Sequence, residues 1–372
     1  MVCLMKSLRF LAVFCIASLV PFELAWAQGT GAQSSETVAK PKNAPPDASS
    51  DKTPIPSKYN KKDATPQGAP VFSTDAITVS VDVAVLDNKG HFIPKIPKNN
   101  FRVLEDNTPQ QVSSFSLGEA PMTIAMVVEF SALFQDFYSY GWYQTLVASY
   151  GFVETLRPDD YVAVVAYDLR PEILSDFSTN RQDTYDALQR LRIPGFREAC
   201  LFDAVVDTAQ RMQDIEGRKA ILLLSSGVDT LSKLTYDKAR KAIQNAGVPI
   251  YALSLLQPVR LMMGPAGDSM RFLQADLQLK TFATESGGMA FYPRFFGEMP
   301  DIFKTISDTM RNQYVLTYTP SNQDRDGKYR KIKVELVDPS TNEPLRVTDP
   351  KGKPIKYQII AKAGYTAPRK VE

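Results

Sequence analysis

Ala125-Met126-Val127-Val128-Glu129-Phe130-Ser131-Ala132-Leu133-Phe134 is the stretch on which the fold turns. The apolar run from Ile124 to Val128 does not alternate, as expected of a central parallel strand covered on both faces. It ends on Glu129 and Ser131, a carboxylate and a hydroxyl. A second run, Ala220-Ile221-Leu222-Leu223-Leu224-Ser225-Ser226-Gly227, ends on polar groups in the same way. Open α/β sheets bind ligands at the C-terminal ends of such strands.

Outward from these two runs, residues 121–313 alternate strands and helices. Strands are predicted at 123–129, 161–167, 220–225, 249–255 and 288–292, and helices near 136–156, 181–191, 200–214, 235–246, 272–285 and 300–312. Arg157-Pro158-Asp159-Asp160 closes the first helix and opens the next strand. Ile173–Phe177 follows Val162–Tyr167 through only Asp168-Leu169-Arg170-Pro171, which predicts an antiparallel edge strand. The fold class is therefore α/β, a doubly wound and mostly parallel sheet with helices on both faces.

The segments on either side read as β. In the first, 76–120, Ile77–Leu86 alternates with period two, Asp87-Asn88-Lys89-Gly90 is a hairpin turn, and Phe101–Asn107 and Gln111–Leu117 follow. In the second, 314–366, Tyr314–Tyr318, Lys331–Val337 and Tyr357–Ala361 alternate, the last running toward Gly364-Tyr365. Each flank is too short for a good domain of its own. One β-sandwich built from both, with the α/β domain inserted between them, is the economical expectation. Residues 367–372 form a tail.

The N-terminus reads as an export signal. Lys6 and Arg9 precede an apolar stretch, Phe10–Val20, that is too short to span a bilayer, and Ala25-Trp26-Ala27 offers a cleavage site. Residues 1–27 are thus expected to be a signal peptide, with an uncleaved membrane anchor as the alternative. Residues 28–75, rich in Pro, Ala, Ser, Lys and Thr, are expected to be a disordered linker. The protein would then be exported to the periplasm or the extracellular space. Cleavage would remove Cys3 and Cys15 and leave Cys200 alone, so no internal disulfide is expected.

The 372 residues carry a formal charge of +2, too little to argue for nucleic acid or an anionic membrane surface. The sole histidine, His91, sits beside Gly90 in the predicted hairpin turn, which leaves a Ser-His-Asp triad without its base. Cys200 reads as a small buried residue at a helix start rather than a nucleophile. Asn322-x-Asp324-x-Asp326-Gly327 begins like a calcium loop, but its twelfth position is Lys333, so it reads as a polar turn. No phosphate loop, dinucleotide fingerprint or zinc cluster occurs. An enzyme is not expected; one of unknown type is the third alternative, which a carboxylate pair with perturbed ionisation in a cleft would revive.

With both strand ends located, residues 121–313 resemble a von Willebrand factor type A domain. With the flanks, residues 76–366 resemble the variant of that family found in many exported acidobacterial proteins. The resemblance rests on Phe101–Asp106, Leu156–Asp160, Gly217–Leu224, Gly247–Tyr251, Thr284–Gly288 and Arg311–Leu316, in that order and spacing. It implies an adhesion or assembly module that binds protein at the C-terminal edge of the sheet. It also implies a divalent-cation site, built from an Asp-x-Ser-x-Ser loop, a Thr and a further Asp.

At those positions this sequence has Glu129, Ser131, Leu133, Ala199 and Ser226. One ligand is kept, one is altered, and three are changed, two of them to apolar residues. Mg²⁺ demands near-octahedral oxygen ligands, so no tight metal and no cofactor are expected. Asp203 and Asp229 leave room for weak or rearranged Mg²⁺ or Ca²⁺ binding; capping of helices and loops is the plainer reading of both.

An apolar crown is the expected replacement for the metal. Its candidate residues are Phe134, Phe137, Tyr138 and Trp142 after the first strand, and Met262 and Met263 in a loop after the 249–255 strand. Aromatic residues and methionine suit adaptable interfaces; packing under the domain, or disorder of the methionine loop, is the alternative. The partner would be a protein. A structural scaffold acting through the β-sandwich is the rival function: exposed apolar surface at the crown favours the first, and at a β-sandwich edge the second.

Overall fold

The computed structural model describes residues 77–118, 120–132, 138–191, 196–263, 270–348 and 351–369. The expected signal peptide and linker lie outside the described residues, as do Leu133, Phe134 and Phe137. All described residues belong to one compact unit.

The first flank supplies β1 (Val79–Asp87), β2 (Phe101–Glu105), β3 (Thr108–Gln110) and β4 (Val112–Leu117). The centre follows as β5 (Met122–Glu129), α1 (Tyr138–Glu154), β6 (Tyr161–Tyr167), β7 (Pro171–Ser178), α2 (Arg181–Arg190), α3 (Leu201–Met212), β8 (Arg218–Ser225), α4 (Tyr236–Ala246), β9 (Ile250–Ser254), α5 (Leu256–Met263), α6 (Met270–Ser286), β10 (Ala290–Phe291) and α7 (Met299–Arg311). The second flank adds β11 (Tyr314–Tyr318), β12 (Tyr329–Leu336), β13 (Val347–Thr348), β14 (Pro354–Ile355), β15 (Tyr357–Ala361) and β16 (Gly364–Thr366).

The central sheet has the order β10-β9-β8-β5-β6-β7, parallel throughout except for the antiparallel pair β6–β7. Every residue of β5 is buried, which explains its unbroken apolar run. Met122, Ile124, Met126 and Val128 pack on one side with Phe152, Leu188 and Phe303, from α1, α2 and α7. Ala125 and Val127 pack on the other with Val205, Ile243 and Phe282, from α3, α4 and α6. Alternate residues thus feed two separate cores, as the pleat requires.

Asp160 fastens the lower edge of this layer. Fully buried, its carboxylate accepts from Met122 N at 2.9 Å, from Arg157 N at 2.8 Å and from Arg311 Nη2 at 2.6 Å. The sequence Arg157-Pro158-Asp159-Asp160 therefore ties the starts of β5 and β6 to the end of α7.

The flanks form two four-stranded sheets, β15-β1-β11-β4 and β16-β12-β2-β3, and each draws strands from both ends of the chain. Val81, Val83, Val103, Leu316, Tyr318 and Val334, from both sheets, share one apolar core. Phe101, Phe115 and Tyr314 meet there with ring centroids 4.9 to 5.6 Å apart. Strand β3 was not expected. It is short, carries Pro109, and pairs only with β2, at the sheet edge where proline is tolerated.

A buried ionic group sits inside these flanks. Glu105 is 3% exposed and Arg330 2%, with Nη1 of Arg330 3.5 Å from the carboxylate. Tyr318 and Tyr365 both donate to Glu105, at 2.7 and 3.1 Å. Arg330 also donates to the carbonyls of Asn322 and Asp324. The segment 322–327, expected as a polar turn, is held from beneath by this arginine.

Candidate functional site

Strands β5 and β8 are parallel neighbours in a register that pairs Val128 with Leu224, so their polar ends meet. Glu129 is 3% exposed. Its Oε1 accepts from Ser131 Oγ at 2.8 Å and from Ser226 Oγ at 3.1 Å. Its Oε2 accepts from the backbone N–H of Ser226 at 2.7 Å and from Ser225 Oγ at 3.2 Å. The Tyr167 hydroxyl, at the end of β6, lies 3.2 Å from the same oxygen and 2.8 Å from Ser225 Oγ. Burial and then the Glu129 charge push the Tyr167 hydroxyl well above the usual tyrosine range, which keeps its proton in place. The carboxylate is thus enclosed by donors from three strand ends.

Of the five residues that the resemblance sets at ligand positions, Glu129, Ser131 and Ser226 are brought together here, and Ala199 is not joined to them by its side chain. Its backbone instead links two loops: Ala199 N donates to Thr230 Oγ1 at 2.8 Å, and Thr230 N donates to Ala199 O at 2.8 Å. Leu133 lies outside the described residues. Gly227 closes the loop after β8 at φ +78°, where a Cβ would stand 2.6 Å from Ala275 O of α6. Both the positive φ and the close approach demand glycine there.

Asp203 and Asp229 act on loops and helix starts. Asp229 accepts from Phe202 N, in the first turn of α3, at 3.2 Å and from Ser232 Oγ at 2.5 Å. Asp203 accepts from Lys233 N at 2.9 Å and Leu234 N at 3.0 Å, just before α4. Burial raises the Asp229 carboxyl above its ordinary value in spite of these hydrogen bonds. Among the described residues no group of three or more His, Cys, Asp or Glu side chains is placed to hold a metal ion.

The methionine segment differs from expectation. Leu261, Met262 and Met263 belong to α5, not to a loop. Pro258 masks this helix in the sequence, but it occupies the first turn, where its missing N–H removes no helical bond. Arg260 fixes α5 on α6 through a 2.8 Å ion pair with Asp276, which also accepts from Ser254 Oγ at 3.2 Å. Burial raises the Asp276 carboxyl even beside that arginine. Tyr138 and Trp142 fall within α1; of these two and of Met262 and Met263 only the backbone is described.

Three apolar side chains absent from the sequence reading stand exposed on loops at this edge: Leu169, Phe196 and Leu231. Backbone bonds draw those loops together. Ala132 N donates to Phe196 O, Cys200 N to Asp168 O and Leu231 N to Ala199 O. Position was the signal for two of them, since Phe196 shares a loop with Ala199 and Leu231 one with Ser226; Leu169, between β6 and β7, carried none.

The remaining candidates are structural. His91 is 74% exposed and its Nδ1 is 3.3 Å from Asp87 in the turn. Cys200 is buried at the start of α3, and burial pushes its thiol up to about 12.

No protein-family model matches the sequence, and no curated protein does either. Among solved structures, the chain is similar to proximal thread matrix protein 1 from the mussel byssus, with 11% identity and a TM-score of 0.40 over 53% of this chain and 50% of that one. It is similar to the vWF domain of the type V pili tip protein Mfa5 from Porphyromonas gingivalis, with 15% identity and a TM-score of 0.40 over 52% of this chain and 95% of that one. It is similar to von Willebrand factor type A from Catenulispora acidiphila, with 10% identity and a TM-score of 0.39 over 79% of this chain and 76% of that one. The chain matches about half the length of the mussel protein. The fold assignment stands on the strand order and register themselves.

Proposed function

We propose that this chain is an exported, non-enzymatic protein-binding module that works through the C-terminal edge of its central sheet without a divalent cation. The enclosed Glu129 carboxylate carries the reading. At the position where the resemblance implies a metal ligand, both oxygens already accept hydrogen bonds from within the protein. A cation would have to displace those donors, and Ala199 offers it no side-chain oxygen. The Asp-to-Glu change is what permits the closure, because the added methylene carries the carboxylate to the end of β8.

Contact at this edge then falls to apolar groups. Leu169, Phe196 and Leu231 are 38%, 50% and 46% exposed, while among the described residues the β flanks expose one large apolar side chain, Leu117. That distribution favours the crown over a scaffold acting through the edges of the β-sandwich. Phe134, Phe137, Tyr138, Trp142, Met262 and Met263 remain the sequence candidates for contact in this reading.

The test is capture of envelope proteins by the wild type and by a Phe196→Ser/Leu231→Ser double variant, each with and without a chelator. Capture that ignores the chelator and fails in the double variant is the expected outcome. Capture lost on chelation, or unaffected by the double substitution, would remove the basis for the reading.

A further inference from the structure

A cavity of about 370 Å³ lies at the opposite, N-terminal edge of the central sheet, where the flanks meet it. Asp82 of β1, Arg218 and Lys219 at the start of β8, and Lys362 after β15 all line it. Three cations thus face one carboxylate. Its floor is backbone: Gly287 has φ +92°, and a Cβ there would meet Lys362 N at 2.7 Å. The lysine backbone is seated directly on that glycine. Gly217 and Gly247 also border the cavity, and a Cβ at either would meet nothing within 4 Å.

The charges in this cavity are incompletely matched. Arg218 gives Nη1 to the carbonyls of Gly118 and Arg311, at 2.9 and 3.1 Å, but its Nε and Nη2 are buried without a hydrogen-bond partner. Lys219 Nζ donates to Ile215 O at 2.9 Å and also to Gln213 O, both neutral carbonyls. Arg218, Lys362 and Lys219 act on Asp82 through space, not through hydrogen bonds. Burial lowers Lys362 and raises Asp82 from their ordinary values, so water offsets little of the charge on either. Half-buried cations with incomplete counter-charge are costly, and an anionic occupant would relieve that cost.

We propose that this junction is a binding site for a phosphate-sized oxyanion, either free phosphate or the phosphate of a small phosphomonoester. Arg218, Lys219 and Lys362 outnumber Asp82 and the Asp214 that also acts on Lys219, and that positive excess suits an oxyanion. The volume lies within the range of small-molecule pockets and exceeds what phosphate alone requires, so a short substituent is accommodated. Lys362 supplies an ammonium, and Arg218, whose Nε and Nη2 are closed off from solvent, supplies a fixed positive charge behind it. Because the walls come from β1, β11 and Lys362 on one side and β8 on the other, bound anion would also brace the flanks against the central sheet.

Isothermal titration of the full-length protein with inorganic phosphate, and separately with glycerol 3-phosphate, tests this. Saturable binding of at least one is expected, and Lys362→Met should weaken it by about tenfold or more. Asp82→Asn removes the opposing charge and should tighten binding several-fold. Preference between the two probes distinguishes free phosphate from a phosphomonoester. Absence of binding for both, or equal affinity in wild type and Lys362→Met, overturns the proposal. If Lys362→Met fails to fold by circular dichroism, Asp82→Asn decides: tighter binding supports the site, and unchanged or weaker binding contradicts it.

Discussion

The backbone N–H of Ser226 donates to Oε2 of Glu129 at 2.7 Å, so the end of β8 is held by a carboxylate from the end of β5. Charge-assisted bonds of this kind are stronger than neutral ones, and here they are shielded from water. Glu129→Ala strands the Ser226 N–H and leaves the hydroxyls of Ser131, Ser225, Ser226 and Tyr167 without this acceptor. It is expected to cost about 3 kcal/mol of stability, whereas Glu129→Gln, which keeps an acceptor oxygen, should cost about 1 kcal/mol. Urea denaturation measures both. An alanine variant as stable as wild type would mean that the carboxylate does not hold this edge together.

The Glu105–Arg330 pair in the flanks should behave differently. Its partners are buried on both sides, so removing either strands a charge. Arg330→Met or Glu105→Ala is expected to destabilise by about 3–5 kcal/mol, as for other broken buried pairs. Loss of less than about 1 kcal/mol would show that water reaches the pair.

Alkaline pH offers a separate test of the same cluster. Burial, and then the Glu105 charge, raise the Tyr365 hydroxyl to about 12, and Tyr318 shifts in the same direction. An unfolded tyrosine ionises near pH 10. The folded pKa lies above the unfolded one, so the contribution is complete below about pH 10 and is lost as pH rises toward 12. Melting temperature should fall across that window, and Tyr365→Phe should reduce the slope. A melting temperature independent of pH between 10 and 12 would contradict the arrangement.

Cys200 should be inert in the native state. Its thiol is 1% exposed and raised to about 12, first by burial. Iodoacetamide at pH 8 is therefore expected to leave it unmodified until denaturant is added, as read by mass spectrometry of its peptide. Rapid native labelling would place the start of α3 at the surface.

The central sheet was legible because β5 and β8 are buried on both faces, which writes an unbroken apolar run into the sequence. The edge strand β7 was legible because four residues cannot cross over to a parallel neighbour. Helix α5 was not, because Pro258 reads as a breaker unless its place in the first turn is known. The role of Glu129 was half visible: the resemblance implied a ligand position there, but the sequence did not show that the side chain reaches Ser226 on another strand. Arg330 and Glu105 stand 225 positions apart, and each looks like an ordinary charged residue of an exposed strand face. Only the pairing of β2 with β12 brings them together. The exposed Leu169, Phe196 and Leu231 were missed for a related reason, since no periodicity marks an apolar residue in a loop.

Titration calorimetry of the full-length protein with Mg²⁺, and then with Ca²⁺, bears most directly on the closed carboxylate. With Glu129 already satisfied and no side-chain oxygen at Ala199, no saturable binding is expected at concentrations up to about 1 mM. Saturable micromolar binding that disappears in Glu129→Ala would contradict a metal-free edge.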